Sequence, residues 1–136
     1  KPIPLLKDLL KTSKNNYHLF IEIKPTFSKI LLHKLLKETS KFSKCTFISF
    51  RHENIYNLLK IKSNAKVGLS FSPSTSAKKI IKKSKNKKIN CLILDKFFLK
   101  NKSIQNLKIK KYYYTIKTKL EFKRYSKNNN LIFENL

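Results

Sequence analysis

The stretch FIEIKP, Phe20–Pro25, is the part of the sequence that decides the fold. From Tyr17 to Lys24 the side chains alternate between two faces, which is the period of a β-strand, and Pro25 ends the pattern. Because residues two apart on a strand share a face, Glu22 and Lys24 point to the same side. The sequence therefore predicts a strand that presents a carboxylate and an ammonium group together near its C-terminal end.

Helical and strand patterns alternate on both sides of this segment. Helices are predicted at 3–10, 28–40, 52–60, 77–84 and 120–127, and further strands at 45–50, 66–71, 89–94, 111–116 and 131–133. The segment 97–107 has a mixed pattern of loop and helix. Such alternation favours a parallel sheet with helical crossovers, and the connections are too short to separate two independent domains. We therefore expect one partial α/β domain over residues 1–136.

The length of 136 residues suits one small domain and falls short of the ~250 residues of a complete (β/α)₈ barrel. No apolar run approaches the ~20 residues of a membrane span, and the opening KPIP lacks the apolar core of a signal peptide. Met is absent throughout, so we expect that a natural start is missing. Cys45 and Cys91 lie in separate apolar runs without metal-binding spacing, which predicts buried free thiols. These features predict a cytoplasmic protein.

The net charge of +25 would ordinarily indicate a nucleic-acid partner. Only Arg51 and Arg124 are arginines, however, and nucleic-acid readers depend on arginine for bidentate and stacking contacts. Lys, Asn, Ile and Phe are the residues favoured when codons are rich in A and T, so base composition explains the charge at least as well. Binding of nucleic acid through non-specific charge stays open. A nucleic-acid- or ribosome-associated protein is the alternative function, with Tyr112–Tyr114 as residues that could stack on bases.

Glu22 and Lys24 are the residues most suited to carry chemistry. In parallel barrels the active site lies at the C-terminal ends of the strands, where this pair is predicted. A carboxylate suits a hard divalent cation and an ammonium group suits a phosphate. A solvated Glu/Lys pair on an edge strand is the alternative that the pattern alone leaves open.

An ordered set of motifs resembles the glycerophosphodiester phosphodiesterase family. FIEIKP is similar to the IEIKP segment of that family, and PIPLL at 2–6 is similar to its PLPLL segment. Further similarities follow in the family's order, in the segments FISF at 47–50, AKVGL at 65–69, YYTIK at 113–117 and NLIFEN at 130–135. The resemblance extends over nearly the whole chain.

This resemblance implies a specific fold and activity. The fold is a partial (β/α)₈ TIM-type barrel, its C-terminal half, without the N-terminal strands. The activity is that of a phosphoric diester hydrolase, which uses Ca²⁺ or Mg²⁺ to release an alcohol and glycerol 3-phosphate from glycerophosphodiesters. The resemblance implies that Glu22 is a metal ligand, that Lys24 contacts the substrate phosphate and that Tyr114 borders the substrate pocket.

The departures from the family concern its acid–base residues. The H-R-G, E-N-T and His-Asp segments, which in the family precede IEIKP, are not found here, and His18, His33 and His52 do not match them. Glu134 and Asn135 stand where the family has Thr and Asp. We therefore expect no catalytic residue in this chain and no activity of the isolated chain. Open barrel edges would favour self-association, and a decayed barrel kept as an interaction module is a third interpretation.

Overall fold

The computed structural model describes residues 2–136, so residue 1 of the predicted domain lies outside the described part. The helices are α1 (Leu6–Ser13), α2 (Lys29–Thr39), α3 (His52–Ile61), α4 (Ala77–Ser84), α5 (Lys102–Gln105) and α6 (Lys119–Tyr125), with a 3₁₀ helix η1 at Lys96–Lys100. The strands are β1 (Leu19–Glu22), β2 (Cys45–Ser49), β3 (Val67–Phe71), β4 (Cys91–Asp95), β5 (Lys110–Ile116) and β6 (Asn130–Phe133). Strand and helix alternate as the sequence predicts.

The described residues form two compact units, one up to Lys66 and the other at Val67–Leu136. In the first unit β1 pairs in parallel with β2, with Glu22 opposite Ile48. In the second unit β3, β4, β5 and β6 pair in that order, and every pair is parallel. Parallel strands joined by helical crossovers confirm the predicted partial TIM-type α/β barrel.

Many of the buried core residues of each unit lie in its strands. All residues of β2 and of β3 are buried, as expected for parallel strands that are covered on both faces. Helices α2 and α3 bury Leu32, Ile55 and Leu58 in the first unit. Both cysteines are buried free thiols, as predicted, and burial raises the pKa of the Cys91 thiol to about 11. A thiol with so high a pKa is a poor nucleophile at neutral pH.

Helix α1 begins later than the sequence predicts. Ile3 and Pro4 precede the helix, which starts at Leu6. A residue that precedes proline disfavours the helical backbone conformation, so Ile3 is held out of the helix by Pro4. Among residues 2–136, no helix is both long and apolar enough to cross a bilayer.

Candidate functional site

Glu22 and Lys24 lie together at the carboxyl end of β1. Glu22 is the last residue of the strand, and Lys24 follows just beyond it. The Lys24 Nζ atom is 3.9 Å from Glu22 Oε2, and the two side chains are 79% and 34% exposed. The two groups therefore lie together as predicted, although the predicted strand extended to Lys24 and β1 already ends at Glu22. An ion pair this long and this exposed contributes at most about 1 kcal/mol to stability, which leaves both groups available to a ligand.

The backbone beneath this pair is fixed by the connection between β2 and α3. The Ser49 hydroxyl is buried and donates to the Ile23 carbonyl at 2.5 Å. The Arg51 Nε donates to the Lys24 carbonyl at 3.2 Å. Two consecutive carbonyls of the β1–α2 loop are thus held by side chains that lie about 26 residues further along the chain.

Asn54, in the first turn of α3, holds the rest of that loop. Its Nδ2 donates to the Pro25 carbonyl at 2.8 Å and to Ser49 Oγ at 3.3 Å. Its Oδ1 accepts from the Phe27 amide at 2.9 Å. The side chain is fully buried, and these bonds use three of the four that an amide can make. No sequence motif pointed to this residue, although its position one helical turn before Leu58 places a polar group on the buried face of α3.

A second carboxylate, that of Glu53, lies at the same loop. The Thr26 hydroxyl donates to Glu53 Oε1 at 3.1 Å. Even so, the described residues contain no group of three or more His, Cys, Asp or Glu side chains that could hold a metal ion. Ca²⁺ takes six to eight oxygen ligands and Mg²⁺ takes six in near-octahedral geometry. Glu22 is a suitable single ligand, but by itself it does not make a cation site.

The histidines do not assemble into an acid–base pair. His18 precedes β1, and its Nε2 lies 2.8 Å from the Oγ1 of Thr46, near the amino end of β2. His52 begins α3, beyond the carboxyl end of β2. The length of a five-residue strand, roughly 16 Å, separates these two positions. His33 is exposed on α2, where it lines a groove of about 500 Å³ between α2 and α3.

Tyr114 lies in the second unit, where its hydroxyl donates to the Phe71 carbonyl at 2.6 Å. Phe71 ends β3, so this side chain reaches from β5 across β4 to the carboxyl end of a strand two places away. The neighbouring Tyr113 is 1% exposed, and burial raises its pKa to about 12. The Lys110 ammonium lies 5.4 Å from the ring centre of Tyr112. The three tyrosines therefore already make contacts within this unit, which makes them less suited to stacking on nucleic-acid bases.

One further polar pair occurs after β4 and β5. The Lys96 ammonium donates to Glu121 Oε1 at 2.8 Å, and the Lys117 amide donates to the other carboxylate oxygen at 3.3 Å. The hydrogen bond from Lys96, with that from Lys117, lowers the pKa of Glu121. The pair lines a groove of about 510 Å³ beside Phe97 and Tyr125. No sequence signal pointed to it, because its members lie 25 residues apart.

Comparison with solved structures identifies a similar fold. A glycerophosphodiester phosphodiesterase from Thermotoga maritima matches with a TM-score of 0.74 and 16% sequence identity. The match covers 96% of this chain and 59% of that protein, so the chain spans less than two thirds of the structure that it matches. Comparison with protein-family models gave no match, and comparison with curated proteins gave none either. The likeness is one of fold, and it confirms the glycerophosphodiester phosphodiesterase-like fold that the sequence motifs predict.

Proposed function

We propose that this chain is part of a metal-dependent glycerophosphodiester phosphodiesterase barrel, which releases an alcohol and glycerol 3-phosphate. The observation that carries the proposal is the Glu22–Lys24 pair at the carboxyl end of β1, in a fold similar to that of a known phosphodiesterase. The carboxylate and the ammonium group lie 3.9 Å apart. The carboxylate suits the divalent cation of such a substrate complex, and the ammonium group suits its phosphate.

Each site residue has a separate role in this proposal. Glu22 is one oxygen ligand of Ca²⁺ or Mg²⁺, and such a cation offsets negative charge that builds up on the phosphate oxygens. Lys24 contacts the phosphate directly as a point charge. Tyr114 borders the pocket through its ring, since its hydroxyl is already bound to the Phe71 carbonyl.

The chain by itself holds one part of this machinery. The remaining cation ligands and the acid–base groups must come from another part of the barrel, because Glu22 is a single ligand and His18 and His52 lie apart. The catalytic step therefore belongs to a completed barrel. The contribution of this chain is to hold one ligand and one phosphate contact on a backbone that Ser49, Arg51 and Asn54 immobilise.

Binding of glycerol 3-phosphate, the expected product, tests the proposal on the chain as it exists. Titration calorimetry in the presence of Ca²⁺ should show weak binding that Lys24→Gln reduces at least fivefold. The matched control is Lys44→Gln, which removes the same charge from an exposed position outside the loop. Glu22→Gln should abolish the dependence on Ca²⁺. Equal binding by the Lys24 and Lys44 variants would contradict the assigned phosphate contact.

A further inference from the structure

Helix α4 and the turn after it form the most basic segment of the chain. Residues 78–88 contain seven lysines, and the sequence has no Asp or Glu between Glu53 and Asp95. Six of these side chains are exposed, and we call them the α4 lysine surface: Lys78, Lys79, Lys82, Lys85, Lys87 and Lys88. This segment combines a high density of cations with a complete lack of neighbouring acids in the sequence.

Buried isoleucines anchor the backbone that carries these lysines. Ile80 is fully buried, and Ile89, which follows the turn, is 4% exposed. The Ser76 hydroxyl caps the helix by accepting from the Lys79 amide at 3.2 Å. The lysines therefore extend from a folded element that Ile80 and Ile89 anchor, with Ile81 half-buried, and the surface offers charge without an exposed large apolar side chain.

Part of the charge arrangement on α4 opposes the stability of the helix, although Lys82 and Lys83 in its last turn suit the helix dipole. Lys78 and Lys79 lie in the first turn, where the helix dipole favours acids, and α4 has no acid there. Lys78 and Lys82 form a like-charged pair one turn apart, which also destabilises a helix. Burial, together with the charge of Lys79, lowers the pKa of Lys83. An external layer of negative charge would relieve the repulsion between these lysines.

We propose that the α4 lysine surface binds peripherally to the anionic face of a phospholipid bilayer. Clusters of four to eight basic residues on a helix are of the size that holds proteins to anionic lipids, with a gain of about fivefold in partition for each lysine near the surface. Binding of this kind needs only positive charge close to a negative plane, which is what lysine supplies. Because Ile80 and Ile89 are buried and no large apolar side chain of the segment is exposed, the interaction is electrostatic and weakens as salt increases.

The same surface is less suited to nucleic acid. Residues 77–88 contain no arginine and no aromatic side chain. Proteins that bind single strands combine cations with aromatic stacking platforms, and base readers depend on arginine. An anionic lipid surface requires neither of these features, so it is the partner that the composition of this segment favours.

Co-sedimentation with vesicles tests the proposal against the overall charge of the protein. The vesicles are phosphatidylcholine alone or phosphatidylcholine with about a third phosphatidylserine, at ~0.1 M salt. The test variant is K78Q/K79Q/K82Q/K85Q, and the control is K34Q/K37Q/K41Q/K44Q, in and beside α2. Each set removes four exposed lysines and lowers the net charge from +25 to +21.

We expect the wild-type chain to bind only the anionic vesicles, the α4 variant to lose at least tenfold in partition and the control less than threefold. Equal losses by the two variants would assign binding to overall charge and overturn the proposal. Tighter binding to single-stranded RNA than to the vesicles, lost in the α4 variant, would assign the surface to nucleic acid instead. If the α4 variant does not fold by circular dichroism, K85Q/K87Q/K88Q, which leaves the helix intact, should still lose at least fivefold.

Discussion

The buried side-chain amide of Asn54 donates to the carbonyl of Pro25 across 2.8 Å, from residues that lie 29 positions apart. This bond ties the loop after β1 to the first turn of α3. Because Glu22 and Lys24 stand at the start of that loop, the geometry of the pair depends on a residue that contacts neither of them. Asn54 is thus a positioning residue in the proposed site.

Replacement of Asn54 by Leu should destabilise the first unit by about 1–3 kcal/mol, because it removes the partner of the part-buried Pro25 carbonyl and Phe27 amide. Denaturant unfolding measures this loss. Asn57→Leu is the matched control in the same helix, since Asn57 is exposed, and it should change stability by less than about 0.5 kcal/mol. Similar losses from both variants would show that the loop does not depend on the Asn54 bonds.

The Ser49 and Asn54 side chains should act as one unit. They lie 3.3 Å apart and hold the Ile23 and Pro25 carbonyls respectively. In a double-mutant cycle with Ser49→Ala and Asn54→Ala, we expect a coupling energy of about 0.5–3 kcal/mol. Strict additivity of the two losses would mean that each side chain acts on its own carbonyl independently.

The two tyrosines in sequence should respond in opposite ways to loss of the hydroxyl. Tyr114→Phe removes the bond to the Phe71 carbonyl and should cost about 1 kcal/mol. Tyr113→Phe should be neutral or stabilising, because within residues 2–136 the buried Tyr113 hydroxyl has no hydrogen-bond partner. Each variant serves as the control for the other in thermal unfolding, and a larger loss from Tyr113→Phe would contradict the assignment.

Tyr113 should also make stability fall at high pH. Burial raises its pKa to about 12 in the folded chain, whereas an unfolded tyrosine ionises near its reference pKa of about 10. Ionisation therefore favours the unfolded chain from about pH 10 upward, and the contribution to stability is complete below that pH. The loss attributable to Tyr113 approaches about 2–3 kcal/mol near pH 12, and it appears as the difference between wild type and Tyr113→Phe in unfolding measured from pH 8 to 12. Parallel pH profiles for the two proteins would refute it.

The isolated 136 residues should show no phosphodiesterase activity with Ca²⁺ or Mg²⁺. The described residues present Glu22 without a group of further ligands, and His18 and His52 lie at different ends of their strands. Release of glycerol 3-phosphate from glycerophosphocholine measures this directly. Metal-dependent release that Glu22→Gln abolishes would show that the chain alone completes a site.

The features of the fold and of the site that the sequence predicts well are those that depend on local residue patterns. Close spacing in the sequence placed Glu22 near Lys24, although β1 ends at Glu22, and alternating strands and helices indicated the barrel class, because both depend on residues a few positions apart. The bonds of Asn54 to Pro25 and of Tyr114 to Phe71 join residues 29 and 43 positions apart. Such contacts depend on how loops approach in the folded chain, so periodicity carries no information about them. The cation, the substrate and self-association stay predictions.

Each compact unit of this chain contains one buried cysteine, Cys45 in β2 and Cys91 in β4. A thiol reagent reaches either sulfur only when its own strand opens, so the protein carries two internal reporters of local unfolding. Labelling rates resolved by mass spectrometry would give a separate opening free energy for each unit, without an introduced probe. The same measurement on the Asn54 variant would show whether loosening the loop near Glu22 raises the labelling rate of Cys45 alone or of both cysteines.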